Sequence, residues 1–216
     1  MNFVSEGGLR VVFAVFGGAG AKSVRKAAGN AATGSYQEAA ISLLATLALH
    51  LPPDSTEHLR FTAKWLEGGC AKAGRLVDLV LAFERKVAAA DKHLSSAAVD
   101  AHEETDAYGV ELSEDEALYL RRLAAGLFTL QKLYCILAAL VVGPGCNSTL
   151  AREVWRMLYT AGGSLSRAAL ELQDMAARAG EGGDAATIRA LADALASYAT
   201  GAGAAEQGAA AAAEGK

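Results

Sequence analysis

Apolar residues recur at alternating steps of three and four along most of this chain, the spacing of helices that each bury one face. The clearest run is Leu120, Leu123, Leu127, Leu130, Tyr134, Leu137 and Val141, within the proline-free stretch Glu114–Val142. Ser113 with Glu116 forms a capping-box pattern at its start, and Gly143-Pro144-Gly145 stops it. The pattern predicts one continuous helix of roughly 40 Å. From Leu133 to Val142 nearly every position is apolar, so several neighbours must cover that half.

The same periodicity marks the other elements. Gly8–Phe16 is short and apolar, and its ending in GGAG fits a helix better than a strand. Tyr36, Ala40, Leu43, Leu44, Leu47 and Leu51 form one inward face, ended by Pro52-Pro53. Asp54 with Glu57 reads as a second capping box, opening a helix that Gly68-Gly69 closes. Leu76, Val80, Phe83, Val87, Ala90 and Leu94 predict a long helix after it. Asn147 and Ser164 sit at N-cap positions, and Asp184 starts a last helix with Ile188, Leu191, Leu195 and Tyr198 inward. No strand pattern of any length competes. The reading is all-α, about seven helices in neighbouring pairs. Helical solenoids and compact bundles share this local pattern.

The organisation follows from composition shifts. Residues 1–16 are a short apolar opening segment of the stack and 17–35 a flexible Gly/Ala loop. Residues 36–99 are helical repeats, 100–115 an acidic connector, and 116–199 further helical repeats. Residues 200–216, alanine and glycine, have little to bury and are expected to be disordered. If no further repeats cover the opening segment, Leu9 to Phe16 is an exposed apolar end that favours self-association.

Charge and chemistry narrow the function. A net charge of −4 gives no global attraction to nucleic acid or anionic membrane. Three widely spaced cysteines, Cys70, Cys135 and Cys146, fit a reducing compartment and lack metal-ligand spacing. No histidine pairs with another histidine or a cysteine at helical spacing, so neither metal nor cofactor is expected. GGAGAKS fails as a phosphate loop on spacing, and no nucleophile elbow is present, so no enzyme is expected. From Leu123 to Val142 the chain approaches the ~20 residues that span a bilayer. Membrane association through 123–142 is thus the alternative, weakened by Gln131 and Lys132 mid-run. Arg121, Arg122 and Lys132 form the densest basic group, with Arg121 and Lys132 on one face of the predicted helix. Pairing with the adjacent acids is their expected use, rather than binding nucleic acid. Asp100, Glu103, Glu104, Asp106, Glu111, Glu114 and Asp115 make a candidate docking surface for a basic partner.

One stretch carries a family resemblance. Tyr119-Leu120-Arg121-Arg122-Leu123, then Gly126-Leu127-Phe128 and Gln131, is similar to the YLRRLxAGLFxLQ signature of the beta-catenin-like protein 1 family. Gly8-Leu9-Arg10, Lys22-Ser23, Arg75-Leu76 with Asp78-Leu79, and Gly162-Gly163-Ser164-Leu165 extend it in order. The resemblance corresponds to the C-terminal part of the family's armadillo-like domain. It implies a right-handed superhelix of armadillo/HEAT type, and a nuclear, non-enzymatic scaffold associated with the spliceosome and pre-mRNA splicing. Its implied partners are proteins of the nineteen complex, engaged through basic nuclear-localisation-type segments of splicing factors. Neither direct nucleic-acid nor membrane contact is implied.

Overall fold

The computed structural model describes residues 3–4, 6–18, 21–97 and 113–214, with side chains placed for 3–4, 6–18, 34–92 and 113–201. Among these residues the chain is helical and has no strand. The helices are α1 (Gly8–Phe16), α2 (Ala21–His50), α3 (Thr56–Ala97), α4 (Glu114–Ala124), α5 (Leu127–Val142), α6 (Ser148–Thr160), α7 (Leu165–Arg178) and α8 (Ala185–Glu214). The stack is organised around α5, which packs against α2, α3, α4, α6, α7 and α8. Leu133, Cys135, Ile136, Leu137 and Ala138 have no accessible surface. A helix apolar all round needs neighbours all round, and each such leucine contributes about 1.5–3 kcal/mol by leaving water.

The single long helix predicted over Glu114–Val142 is two helices. Gly126 has φ +104°, and α4 and α5 meet there at a bend of 74°. Only glycine takes this backbone readily, and it also lets Phe83 approach: a Cβ on Gly126 would lie 2.8 Å from two of its ring carbons. The bend turns Leu120, on the predicted stripe, out to solvent. It also removes the common face expected for Arg121 and Lys132, which sit on different helices. Gly126→Ala is expected to cost about 2 kcal/mol, from the left-handed backbone and the displaced Phe83 ring. Thermal melting checks this, with a fall of about 4–8 °C expected for a chain of this size. An unchanged midpoint would mean that the bend does not need glycine.

The bend also bears on the membrane alternative. Among the described residues no single helix is long and apolar enough to cross a bilayer. The α4–α5 pair reaches the length and composition only as a bent unit. The apolar surface that raised the question is the packed centre of the stack, from Leu127 to Val141.

Other boundaries differ in detail. The N-cap of α3 is Ser55, whose Oγ accepts the His58 N–H at 3.1 Å. Asp54, expected to cap, has φ +61° and lies one residue too early. The break at Gly68-Gly69 is present: Gly68, Gly69 and Cys70 all have positive φ within α3. The Glu67 carboxylate bridges the break, 2.6 Å from Lys64 and 2.8 Å from Lys72. The loop expected over 17–35 is helix from Ala21, and the disorder expected over 200–216 is helix to Glu214. Both segments prolong an anchored helix, so no new nucleation is needed and alanine's propensity decides.

The opening segment is covered. Leu9, Val12, Phe13 and Phe16 of α1 are buried, and Phe13 meets Trp65 edge-on at 5.0 Å. The apolar end expected to lie bare over Leu9 to Phe16 is therefore packed against α2 and α3, and it is Val11 that faces solvent. In α2, Tyr36 and Leu43 point outward against expectation, while Ile41 joins Leu44 in the core.

Candidate interaction surface and the polar seam behind it

Of the acids expected to form a docking surface, Asp100, Glu103, Glu104, Asp106 and Glu111 lie outside the described residues. Glu114 and Asp115 open α4, exposed alongside Ser113 and Glu116. The capping box is formed: Ser113 Oγ accepts the Glu116 N–H at 3.3 Å and donates to Glu116 Oε2 at 2.7 Å. The Ser113 N–H donates to the same carboxylate at 3.0 Å. These two donors hold the Glu116 carboxyl below its ordinary range, the hydroxyl contributing most. No side chain of α4 is fully buried. The helix rests on the body through partial packing and polar ties, among them the Arg178 guanidinium 4.3 Å over the Tyr119 ring.

The strongest tie is made by the signature itself. Arg122 Nη2 lies 3.1 Å from Glu171 Oε2 on α7, and Gln131 Nε2 of α5 donates to Glu171 Oε1 at 3.1 Å. Arg122 Nε faces Asp91 of α3 at 3.5 Å. One carboxylate thus receives two polar residues of the signature, Arg122 and Gln131, across the bend that Gly126 makes. Deeper in the stack, Tyr134 Oη donates to Glu84 Oε1 at 2.6 Å, and Arg167 Nη1 reaches Glu84 Oε2 at 3.1 Å. Burial first, then the Glu84 contact, pushes Tyr134 ionisation far above its ordinary value, so the phenol stays a donor.

This seam joins α3, α4, α5 and α7. Its carboxylates are occupied by cations and donors from within the chain, an arrangement that holds helices in register. Among the described residues, Arg122 forms ion pairs with Asp91 of α3 and Glu171 of α7. The sequence reading placed neither Glu171 nor Glu84. Their signal is faint: Glu171 precedes Leu172 on the inward face of α7, and Glu84 follows Phe83 on that of α3. The remaining signature residues divide cleanly. Leu127 is buried, Leu123 packs partly against the core, and Phe128 is exposed with the Lys132 ammonium 5.2 Å over its ring.

A cleft of about 320 Å³ opens between α2, α3, α5 and α8, walled by Leu49, Phe61, Leu140 and Leu191 with Cys146 among its lining residues. Cys146 is exposed, whereas Cys135 is fully buried in α5. Burial pushes the Cys135 thiol up to about 11. At pH 8 Cys135 is therefore a thiol and sealed from reagent. Titration with a disulfide reagent is expected to consume Cys146 rapidly and to reach Cys135 only on unfolding. Fast native labelling of Cys135, located by peptide mapping, would contradict the packing of α5.

A stack of helices around one apolar helix, knitted by a partly buried polar seam, fits an armadillo-like helical protein. A profile of the family described as "Catenin-beta-like, Arm-motif containing nuclear" matches residues 1–173, and the chain belongs to that family. Beta-catenin-like protein 1 of Bos taurus is 30% identical over 185 residues, covering 84% of this chain and 31% of that protein. Its Homo sapiens counterpart is 28% identical over the same coverage. The chain spans just under a third of the length of these curated relatives. The family's description is of nuclear proteins that contain the Arm motif.

Proposed function

We propose that this chain is a non-enzymatic protein-interaction scaffold of the nucleus that serves pre-mRNA splicing. In this reading it holds basic, nuclear-localisation-type segments of splicing factors, with proteins of the spliceosomal nineteen complex among its partners. Membership of an Arm-motif nuclear family supports the scaffold. The observation that favours a basic partner is the run Asp100–Glu116, which carries Asp100, Glu103, Glu104, Asp106, Glu111, Glu114, Asp115 and Glu116 and no lysine or arginine. Arg122, close behind the run in sequence, is engaged by Asp91 and Glu171. Screened electrostatics of this kind set partner choice and association rate more than affinity.

Affinity purification from nuclear extract tests the proposal, comparing the chain with a variant carrying Asn or Gln at the seven docking acids, Asp100 to Asp115. Splicing factors retained by the parent and lost by the variant are the expected result. Retention by both would keep the scaffold and move the contact off the acidic run. Retention by neither would remove the splicing role from this part of the family's architecture.

A further inference from the structure

Ser113 opens the sequence Ser-Glu-Asp-Glu, and no other serine or threonine in the chain is followed by three consecutive acids. Kinases that select acidic substrates read carboxylates at those positions through a basic cleft, by charge complementarity. Ser113, Glu114, Asp115 and Glu116 are all exposed. Because α4 has no fully buried side chain, its first turn can unwind into such a cleft while α5 stays packed. We propose that Ser113 is a phosphorylation site for an acid-directed kinase, and that its phosphate strengthens the docking of basic segments. The second half rests on the docking reading above.

The chemistry is ordinary phosphoryl transfer. Ser113 Oγ forms a bond to the γ-phosphorus of ATP, the bond from that phosphorus to the bridging oxygen breaks, and ADP leaves. The hydroxyl proton passes to the base of the kinase. The capping box then changes hands. Oγ now donates to Glu116 Oε2 at 2.7 Å; once esterified it has no proton to give, and two anions face each other. Glu116 swings out, and phosphate oxygens take the free N–H groups of the first turn, a favoured place for phosphate. About 1.5–2 negative charges are added beside Glu114 and Asp115.

The test treats the whole chain with casein kinase 2 and ATP and reads intact mass and fragment spectra. One phosphate at Ser113 is expected, absent from Ser113→Ala and on the order of tenfold slower in Glu116→Gln. Ser113→Thr, which keeps a capping hydroxyl, should still accept it. No phosphate at Ser113 in the parent, or equal uptake in Ser113→Ala, overturns the site. Both forms are then titrated at low salt with a fluorescein-labelled lysine- and arginine-rich peptide. Phosphorylation is expected to tighten binding about threefold to tenfold. Equal affinity of the two forms overturns the regulatory half. If neither form binds the peptide, the docking reading fails while the modification site stands.

Discussion

Leu127→Asp is expected to abolish cooperative unfolding, leaving a chain that is helical in part but without a fixed core. Leu127 has no accessible surface and is the first residue of α5, directly after the bend. Two effects oppose each other there. A carboxylate in the first turn of a helix is favoured by the exposed N–H groups, by up to about 1 kcal/mol. The same carboxylate, without a cation, is buried in the centre of the stack, which costs several kcal/mol even after relaxation. The penalty wins, and it is comparable to the whole stability of a domain, about 5–15 kcal/mol. Phe128→Asp supplies the control. It places the same charge one residue further along the same helix, where the ring is exposed. It forfeits only the Lys132 contact, about 0.5–1 kcal/mol. Circular dichroism through urea and heat should show a lost transition for the first variant and a near-parental one for the second. Equal midpoints would refute the placement of α5.

The reasons the sequence succeeded at some positions and failed at others are physical. Helix faces were legible because burial is periodic: Leu76, Val80, Phe83, Val87, Ile188, Leu191 and Leu195 all lie where spacing put them. Caps were legible because they are local, and Ser113, Asn147 and Ser164 each accept the expected N–H. The bend at Gly126 was not legible, because a lone glycine inside a helical pattern is usually tolerated. What decides here is Phe83, more than forty positions away in the chain, which fills the space a side chain would need. The polar seam was hidden for the same reason. Arg122 and Gln131 lie off the apolar stripe of the one long helix predicted, and only the bend together with the approach of α7 brings both to Glu171. As for the docking acids, their charge was visible at once, but a charge run carries no periodicity that would fix its geometry.

The second large effect is expected at Glu171. Its side chain is 12% exposed and receives Arg122 and Gln131 on separate oxygens. Glu171→Ala leaves a half-buried guanidinium and a side-chain amide without their acceptor, a loss of about 2–4 kcal/mol. Glu171→Gln keeps the shape and one acceptor oxygen but loses the charge, so about half that loss is expected. If the seam holds α4 to the body, the cost should be shared with Arg122. A double-mutant cycle between Arg122→Ala and Glu171→Ala is expected to give a coupling of about 1–3 kcal/mol. The exposed pair Arg156–Glu153 is the comparison: both residues lie on the outer face of α6, and their coupling should stay below about 0.5 kcal/mol. Hydrogen exchange separates a local from a global role. Amides of α4 should lose protection in Arg122→Ala while those of α5, buried between its neighbours, keep theirs. Protection lost equally from both helices would make Arg122 part of the core's cooperative unit, and α4 could then no longer be treated as a separately held arm bearing the acidic face. Protection lost from α4 alone would make the signature arginine the fastening of that arm.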